Sequence, residues 1–161
     1  MISEKDFIIR MLISLLIGVV IGFERQFRNR HAGIRTFAVL CMSSSLIAMI
    51  ALYSTPIFGP PNIPQILVAM IVGMGFLGSG IIYKEKEEKM VVHGLTTSTT
   101  LLMTAVIGIA IGIGYIFAGI TSAILTILCL VLLRFVEIKL KLKILPPTEK
   151  PKPTPSPPEK H

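Results

Sequence analysis

The sequence predicts an all-α integral membrane protein, a compact bundle of about five transmembrane helices with the N-terminus outside and the C-terminus in the cytoplasm. Of the 161 residues, 52% are hydrophobic and only 16% are charged, and the mean hydropathy is +0.76. A soluble domain carries about a quarter charged residues. Asp, Glu, Lys, Arg and His are also absent from residues 36–83 and 94–133, and runs of that length are too long for a soluble core.

Five apolar segments of 17 or 18 residues account for this composition. Each is at the shorter end of what spans a hydrocarbon core of about 30 Å. Helices are expected because lipid offers no partners to free backbone groups, and the pattern lacks the alternation of a barrel. The first segment begins with Glu4 and Asp6 and lacks a small-residue cleavage site, so we expect a retained helix rather than a secretory signal. The predicted helices cover residues 7–23, 36–53, 66–83, 95–112 and 116–133.

The basic residues determine the expected orientation. Lys and Arg follow the first, third and fifth segments, whereas the loop between the second and third segments carries no charge. With the tail included, 14 of the 16 basic residues fall on one side, which leaves Lys5 and Arg10 on the other. The positive-inside rule therefore places the C-terminus in the cytoplasm.

We place the transmembrane domain at residues 1–138, followed by an interfacial basic segment at 139–145 and a tail at 146–161. The segment "KLKLKIL" alternates with period two, which suits either an interfacial strand or an extended cytoplasmic continuation of the fifth helix. The tail holds seven of the eleven prolines, so we expect it to be disordered and polyproline-like in the cytoplasm.

The stretch "GMGFLGSG", residues 73–80, contains the glycine spacing of a dinucleotide-binding loop at Gly73, Gly75 and Gly78. It lacks the preceding strand and the acid about 20 residues later that such a loop requires. Helix packing is favoured instead, because Gly73 and Gly80 share one face while Gly75 and Ser79 share another, so two neighbours can approach the third helix. A broken helix lining a transport path remains an alternative. The same small-residue spacing recurs as Gly18-x-x-x-Gly22 and Gly108-x-x-x-Gly112.

The first loop expected in the cytoplasm is strongly polar. Glu24 and Arg28 are four residues apart, in the order that favours an exposed helical ion pair. Arg25, Arg30 and Arg35 add hydrogen-bond donors near the membrane surface and are explained as orientation anchors. That explanation does not account for Glu24, which directly follows an apolar run.

Three blocks resemble the membrane domain of the MgtC/SapB family. They read "RMLISLLIGVVIGFERQFRNRHAGIRT" (Arg10–Thr36), "GMGFLGSGII" (Gly73–Ile82) and "VVHGLTTSTTLLMTAVIGIAIGIGY" (Val91–Tyr115). The order and spacing of the blocks match the family over most of the first 115 residues. The resemblance marks as candidate functional residues Arg10, Glu24, Arg25, Arg28, Gly33, Arg35, Thr36, Gly73, Gly75, Gly78, Gly80, Gly94, Thr96 and Thr97.

This resemblance implies an inner-membrane protein linked to growth at low magnesium. Family members have been described as magnesium transporters, and the best-described member resembles a regulator that acts on the membrane sector of ATP synthase. The chain departs from the family at Ser98 and Thr99, where alanines are usual, and in having no tryptophan. We expect no counterpart of the small soluble C-terminal domain that some members carry, because only the proline-rich tail stands there.

Two functional hypotheses remain, a regulatory or interaction protein and a transporter of magnesium or another cation. Mg²⁺ prefers carboxylate oxygens, and the second to fifth segments contain none, so transport is the weaker hypothesis. Hydroxyls of Ser43–Ser45, Thr96–Thr100 and Thr104 could line a wet path, although interhelical or back-bonded hydroxyls are the favoured explanation.

Arg10 and His93 need separate interpretations. Arg10 lies a few residues into the first helix, where snorkelling to the outer interface is favoured over a buried pairing role that lacks an acid partner. His93 has no second ligand nearby and is expected in a surface loop. The two cysteines, Cys41 and Cys129, lie within apolar runs, which indicates packing rather than a disulfide or zinc site.

The expected partners are lipids and membrane proteins. No nucleophile with a base and no paired carboxylates occur, so we expect neither an enzyme nor a bound cofactor, and metal ligands are not identified. The net charge of +7 is not accompanied by aromatic platforms, which disfavours nucleic acid. ATP synthase membrane subunits, implied by the resemblance, and a second copy of the chain are the candidate protein partners.

Overall fold

The computed structural model describes residues 3–30, 32–53, 63–84 and 92–144. Within these ranges, five helices are long and apolar enough to cross a membrane, so the predicted multi-pass all-α fold is confirmed. The two short strands pair in antiparallel fashion, with Tyr83 opposite His93. The elements are α1 (Glu4–Phe27), α2 (Ile34–Tyr53), α3 (Ile63–Ile81), β1 (Tyr83–Lys84), β2 (Val92–His93), α4 (Leu95–Ile113) and α5 (Ile116–Ile144).

The helix ends agree with the sequence-based bounds to within three residues except at the C-terminal ends of α1 and α5, and Tyr83, predicted to end the third helix, lies in β1. Helix α1 continues to Phe27, so the polar residues from Glu24 onward are helical, as suits the strong helix formers Glu, Arg and Gln. Helix α5 continues to Ile144, so residues 139–144 are helical and the strand alternative is wrong for them. Extending an existing helix adds one hydrogen bond per residue, whereas an unpaired strand gains none. The predicted tail at 146–161 lies outside the described residues.

Helix α4 is the most buried of the spans, and it contacts α1, α2 and α3. All these elements belong to a compact unit that ends at Leu128, ten residues before the boundary we placed at 138. Burial on several sides explains why small and hydroxyl side chains alternate with large aliphatic ones along this helix. Its buried residues are Thr97, Thr100, Leu101, Thr104, Ala105, Ile107, Gly108, Ile109, Ile111 and Gly112.

Two glycine pairs hold α2 between α1 and α4. A Cβ atom on Gly18 would lie 2.7 Å from Cα of Ala38, and one on Gly22 would lie 2.6 Å from Cα of Ile34. On the other side, Gly108 and Gly112 lie equally close to the segment of α2 from Cys41 to Ala48. The packing role predicted for both glycine pairs is therefore confirmed.

The glycines of α3 behave differently. A Cβ on Gly73, Gly75 or Gly80 would meet no atom of the described chain within 4 Å, and only Gly78 is packed, against Oγ of Ser98. Helix α3 has the two neighbours expected, α4 and α2, but the close approach predicted at Gly73, Gly75 and Gly80 is wrong within this part of the chain. The reason is that α3 meets α4 through the face that carries Gly78, whereas Gly73 lines an open cleft between α3 and α2.

Helix α5 belongs to two compact units. Its residues up to Leu128 are part of the first unit, where Gly119 packs against the side chain of Ile111 of α4. Residues from Cys129 to Ile144 are the described part of the second unit, and its exposed large apolar side chains lie between Leu132 and Leu140, beside Arg134 and Lys139.

Candidate functional site

The last turns of α1 carry an ion pair between Arg28 and Glu24. Nε of Arg28 bonds Oε1 of Glu24, as the spacing of four residues predicts. The side chains are 20% and 12% exposed, so the pair is partly buried rather than exposed as we expected. Burial arises because α2 begins against Gly22, half a turn before Glu24. The second carboxylate oxygen, Oε2, is buried and has no hydrogen-bond partner among the described residues.

Arg25 lies inside the protein rather than at the surface. Its side chain is 2% exposed, and Nη2 donates a hydrogen bond of 2.7 Å to Oγ1 of Thr97, itself buried in α4. Nε is buried without an acceptor in the described chain. The interpretation of Arg25 as a surface anchor is therefore wrong. Together, Glu24, Arg25, Arg28 and Thr97 are called the Arg25 cluster below.

The spacing of residues along α1 indicates that Arg25 is buried. Ser14, Gly18, Ile21, Gly22 and Arg25 are the buried residues of α1, and they recur at intervals of three and four residues. Arg25 continues the stripe that faces the other helices, because residues at that spacing share one face. A charged residue on a stripe of small residues indicates a buried charge with a polar partner.

The turn before α4 is fixed by Gly94. This residue has φ of 92°, a left-handed conformation that favours glycine, and a Cβ there would collide with the carbonyl of Ile81 at the end of α3. Thr96 is exposed and Thr97 is buried, so the two threonines of the family block have different environments. Gly94 thus fixes the start of the helix that carries Thr97, the α4 member of the Arg25 cluster. His93, expected in a surface loop, lies in β2.

Residues at the start of α2 form a separate contact. The backbone N–H of Ile34 donates to Oε1 of Gln26, 3.2 Å away, and a Cβ on Gly33 would lie 2.8 Å from the same oxygen. Gln26 therefore caps α2 from α1, and it is a residue that sequence reasoning missed. Arg35 and Thr36 are exposed, and no hydrogen bond or ion pair joins them to the Arg25 cluster in the described chain.

Arg10 lies at the opposite end of the bundle. Its Nη1 donates to the carbonyl oxygen of Gly112 at 2.8 Å and to the hydroxyl of Tyr53 at 3.3 Å. Gly114, with φ of 115°, closes the same helix end beside the guanidinium. Arg10 is thus paired, but with the carboxyl end of α4 rather than with an acid. Tyr53 was also missed, because nothing in the sequence links it to Arg10.

Back-bonded hydroxyls favour structure over a wet path, although the buried hydroxyls of Ser44 and Ser45 have no hydrogen-bond partner among the described residues. Thr100 and Thr104 donate to carbonyls four residues earlier, and Ser43 donates to Leu40. An open cleft of about 550 Å³ between α2 and α3 is lined mainly by apolar side chains such as Ile47, Met70 and Leu77. The described residues contain no group of three or more His, Cys, Asp or Glu side chains that could hold a metal ion.

Comparison with known proteins decides the family. The sequence profile of the MgtC family matches residues 11–139, which include the Arg25 cluster and all five helices in whole or part. The chain belongs to the MgtC family. The family resemblance of the three sequence blocks is thereby confirmed.

Two relatives illustrate the extent of the MgtC match. The chain is 37% identical to Protein MgtC of Salmonella typhimurium (strain 14028s / SGSC 2262) over 124 residues, which cover 76% of this chain and 50% of that protein. It is 36% identical to Protein MgtC of Brucella abortus (strain 2308) over 121 residues, 75% of this chain and 48% of that protein. The chain therefore spans about half the length of the curated MgtC relatives it matches. No solved structure matches it.

Proposed function

We propose that this protein is an MgtC-like regulatory or interaction protein of the inner membrane, linked to adaptation to low magnesium, and that it is not an enzyme. The observation that carries the proposal is the buried bond between Arg25 and Thr97. It joins α1 to α4 through two residues of the family motifs, and the sequences of α2, α3 and α4 contain no acid. A buried cation of this kind organises helices, whereas coupled cation transport uses acids inside the bundle.

Open surface on α3 supports an interaction role. A Cβ on Gly73, Gly75 or Gly80 would meet no atom of the described chain within 4 Å, and small residues let another transmembrane helix approach closely. We propose a membrane protein as the partner, and membrane subunits of ATP synthase are the first candidates because the family resemblance suggests them. A second copy of the chain is the other candidate.

Cation transport is the alternative function, and one observation favours it. Oε2 of Glu24 is a buried carboxylate oxygen without a described partner, the ligand type that Mg²⁺ prefers. Against this, Oε1 of the same carboxylate already bonds Arg28, and Arg25 is the next residue of α1. Two neighbouring cations repel Mg²⁺, so the transport hypothesis stays second.

The deciding experiment combines flux with partner capture. Purified full-length protein in liposomes is expected to give no saturable Mg²⁺ uptake above protein-free vesicles. Affinity capture from native membranes is expected to retain ATP synthase membrane subunits, and Glu24→Ala is expected to reduce that capture, because Arg28 and Arg25 then lose their nearest carboxylate. Lys139→Ala, an exposed charge on α5, is the matched control. Robust saturable Mg²⁺ uptake would overturn the proposal.

Growth at low magnesium gives a second readout. In a host that requires the protein, Glu24→Ala and Arg35→Ala are expected to impair growth more than removal of residues 146–161, because the family motif includes both residues and not the tail. Equal loss from the tail deletion would contradict this prediction. Immunoblots of the membrane fraction separate loss of activity from loss of protein.

A further inference from the structure

The first turn of α4 offers backbone donors with no described acceptor. The first helical hydrogen bond runs from the N–H of Ser98 to the carbonyl of Gly94 at 2.9 Å, so the N–H groups of Leu95, Thr96 and Thr97 have no acceptor in the helix. Gly94 provides no side-chain cap, and the first turn carries no acid. Such a helix end has a partial positive charge and favours an anion.

A buried cation lies beside this helix end. Arg25 has five N–H donors, of which one bonds Oγ1 of Thr97 in the first turn of α4. The side chain is only 2% exposed, and its Nε is buried without an acceptor among the described residues. A buried guanidinium without a counterion is unfavourable unless an anion or further acceptors balance its charge. The helix end and the guanidinium therefore require the same kind of ligand.

The surrounding groups favour an anion over a cation. Arg28 and Arg30 add two positive charges to that of Arg25, and Glu24 is the one acid among them. Glu24 forms its described ion pair with Arg28 and its charge also attracts the guanidinium of Arg25, so one negative charge is set against three positive ones. The carbonyls at the end of α1 are also occupied, because that of Arg25 accepts from the N–H groups of Arg28 and Arg30.

We propose that the first turn of α4 and Arg25 form a binding site for a phosphate group. Phosphate suits the site because a tetrahedral oxyanion accepts hydrogen bonds from several directions, from backbone N–H groups and from a planar guanidinium alike. Leu95 and Thr96 are exposed, so the turn opens at the surface while Arg25 closes it from inside. The site lies where a membrane-spanning helix begins, which is the level of lipid headgroups. Both inorganic phosphate and the phosphate monoester of phosphatidic acid have this chemistry.

Two binding measurements on the full chain test the site and distinguish the two sources. In nanodiscs of phosphatidylcholine, calorimetric titration with inorganic phosphate at constant ionic strength measures binding of the free ion. In detergent without free phosphate, native mass spectrometry measures retention of phosphatidic acid relative to phosphatidylcholine. Saturable binding in either arm supports the site, and the arm that responds identifies the source. Absence of saturable binding in both arms would overturn the proposal.

Three variants locate the binding. Arg25→Gln removes the charge and is expected to weaken binding about tenfold or more, as loss of a charge-assisted hydrogen bond does. Thr96→Asp places a carboxylate in the exposed first turn, which stabilises the helix yet competes with the ligand, so it is expected to abolish binding even if Arg25→Gln fails to fold. Arg134→Gln on α5 is the control and is expected to bind like the parent. Binding that Thr96→Asp leaves intact, or that Arg134→Gln weakens equally, would refute the site.

Discussion

Arg10 is held by backbone at the carboxyl end of α4. Because α4 ends at Ile113, no N–H group of the helix bonds the carbonyl of Gly112. This carbonyl therefore accepts a hydrogen bond from the guanidinium of Arg10. A cation also interacts favourably with the partial negative charge of a helix end. Arg10 therefore stabilises a helix terminus, and its aliphatic stem accounts for its partial burial.

Removing this charge tests the contact. Arg10→Gln is expected to lower stability by about 1–3 kcal/mol, the range for hydrogen bonds to charged groups. Lys5→Gln is the control, because Lys5 is an exposed cation on the same helix. Thermal unfolding in detergent, followed by circular dichroism, measures both. Equal melting temperatures for the two variants would show that the bond to Gly112 contributes nothing.

Gly78 and Ser98 form a second residue-scale pair. A Cβ on Gly78 would collide with Oγ of Ser98 but would lie 3.4 Å from its Cβ, an ordinary contact. The hydroxyl of Ser98 can rotate away only at the cost of its preferred rotamer, so Gly78→Ala is expected to destabilise the protein by about 0.5–1.5 kcal/mol. Adding Ser98→Ala is expected to restore most of that loss, measured as the melting temperature of the double variant. A double variant no more stable than Gly78→Ala alone would refute the contact.

At the scale of elements, α2 is the helix that the glycines position. The glycines of α1 and α4 bring both helices close to the backbone of α2, where dispersion contacts accumulate without a hydrophobic drive from lipid. Helix α3 is less enclosed, since its buried glycine meets a side chain rather than a backbone. The contact between α3 and α4 is therefore easier to rearrange than the contacts of α2 with α1 and α4.

Alanine at matched glycines distinguishes these two situations. Gly18→Ala would place its Cβ against the carbonyl of Phe37 and Cα of Ala38, where backbone must move, so we expect a loss of about 1–3 kcal/mol. Gly73→Ala meets open space in the described chain and is expected to be neutral or slightly stabilising. Melting temperatures of the purified variants decide the matter. A destabilising Gly73→Ala would indicate that another chain or segment covers this face.

The sequence predicts the helices well and their contacts unevenly. Length and hydropathy identify all five spans, and the spacing of Gly18 and Gly22 identifies a packing face. Small residues on several faces of α3 do not reveal which face is used, since that depends on where α4 lies. The acceptor of Arg10 is a backbone carbonyl, which every residue carries and no sequence pattern marks. Arg25 was predictable in part, from its place on the buried stripe of α1.

At the scale of the whole molecule, the charge distribution predicts the orientation. The Arg25 cluster lies at the end that carries the basic loops, and Lys5 lies at the other end of α1. Because the cytoplasmic leaflet favours Lys and Arg, the Arg25 cluster is expected at the cytoplasmic surface and the N-terminus outside.

Single cysteines test this orientation. In a background of Cys41→Ala and Cys129→Ala, we expect a membrane-impermeant maleimide to label Lys5→Cys in spheroplasts. Lys139→Cys is expected to react only after the membrane is permeabilised, because the positive-inside rule places it in the cytoplasm. The reverse labelling pattern would require the opposite topology.

The two arginines of α1 are tied to α4 at matching distances along the chain. Arg10 bonds Gly112 and Arg25 bonds Thr97. The two arginines are 15 residues apart on α1, and their two partners are also 15 residues apart on α4. At 1.5 Å per residue the ties lie about 22 Å apart along antiparallel helices. A slide of α1 by one turn would break both ties at once, and a tilt would strain them in opposite senses. Together the two bonds fix the register of α1 against α4 and oppose sliding of α1 along its axis.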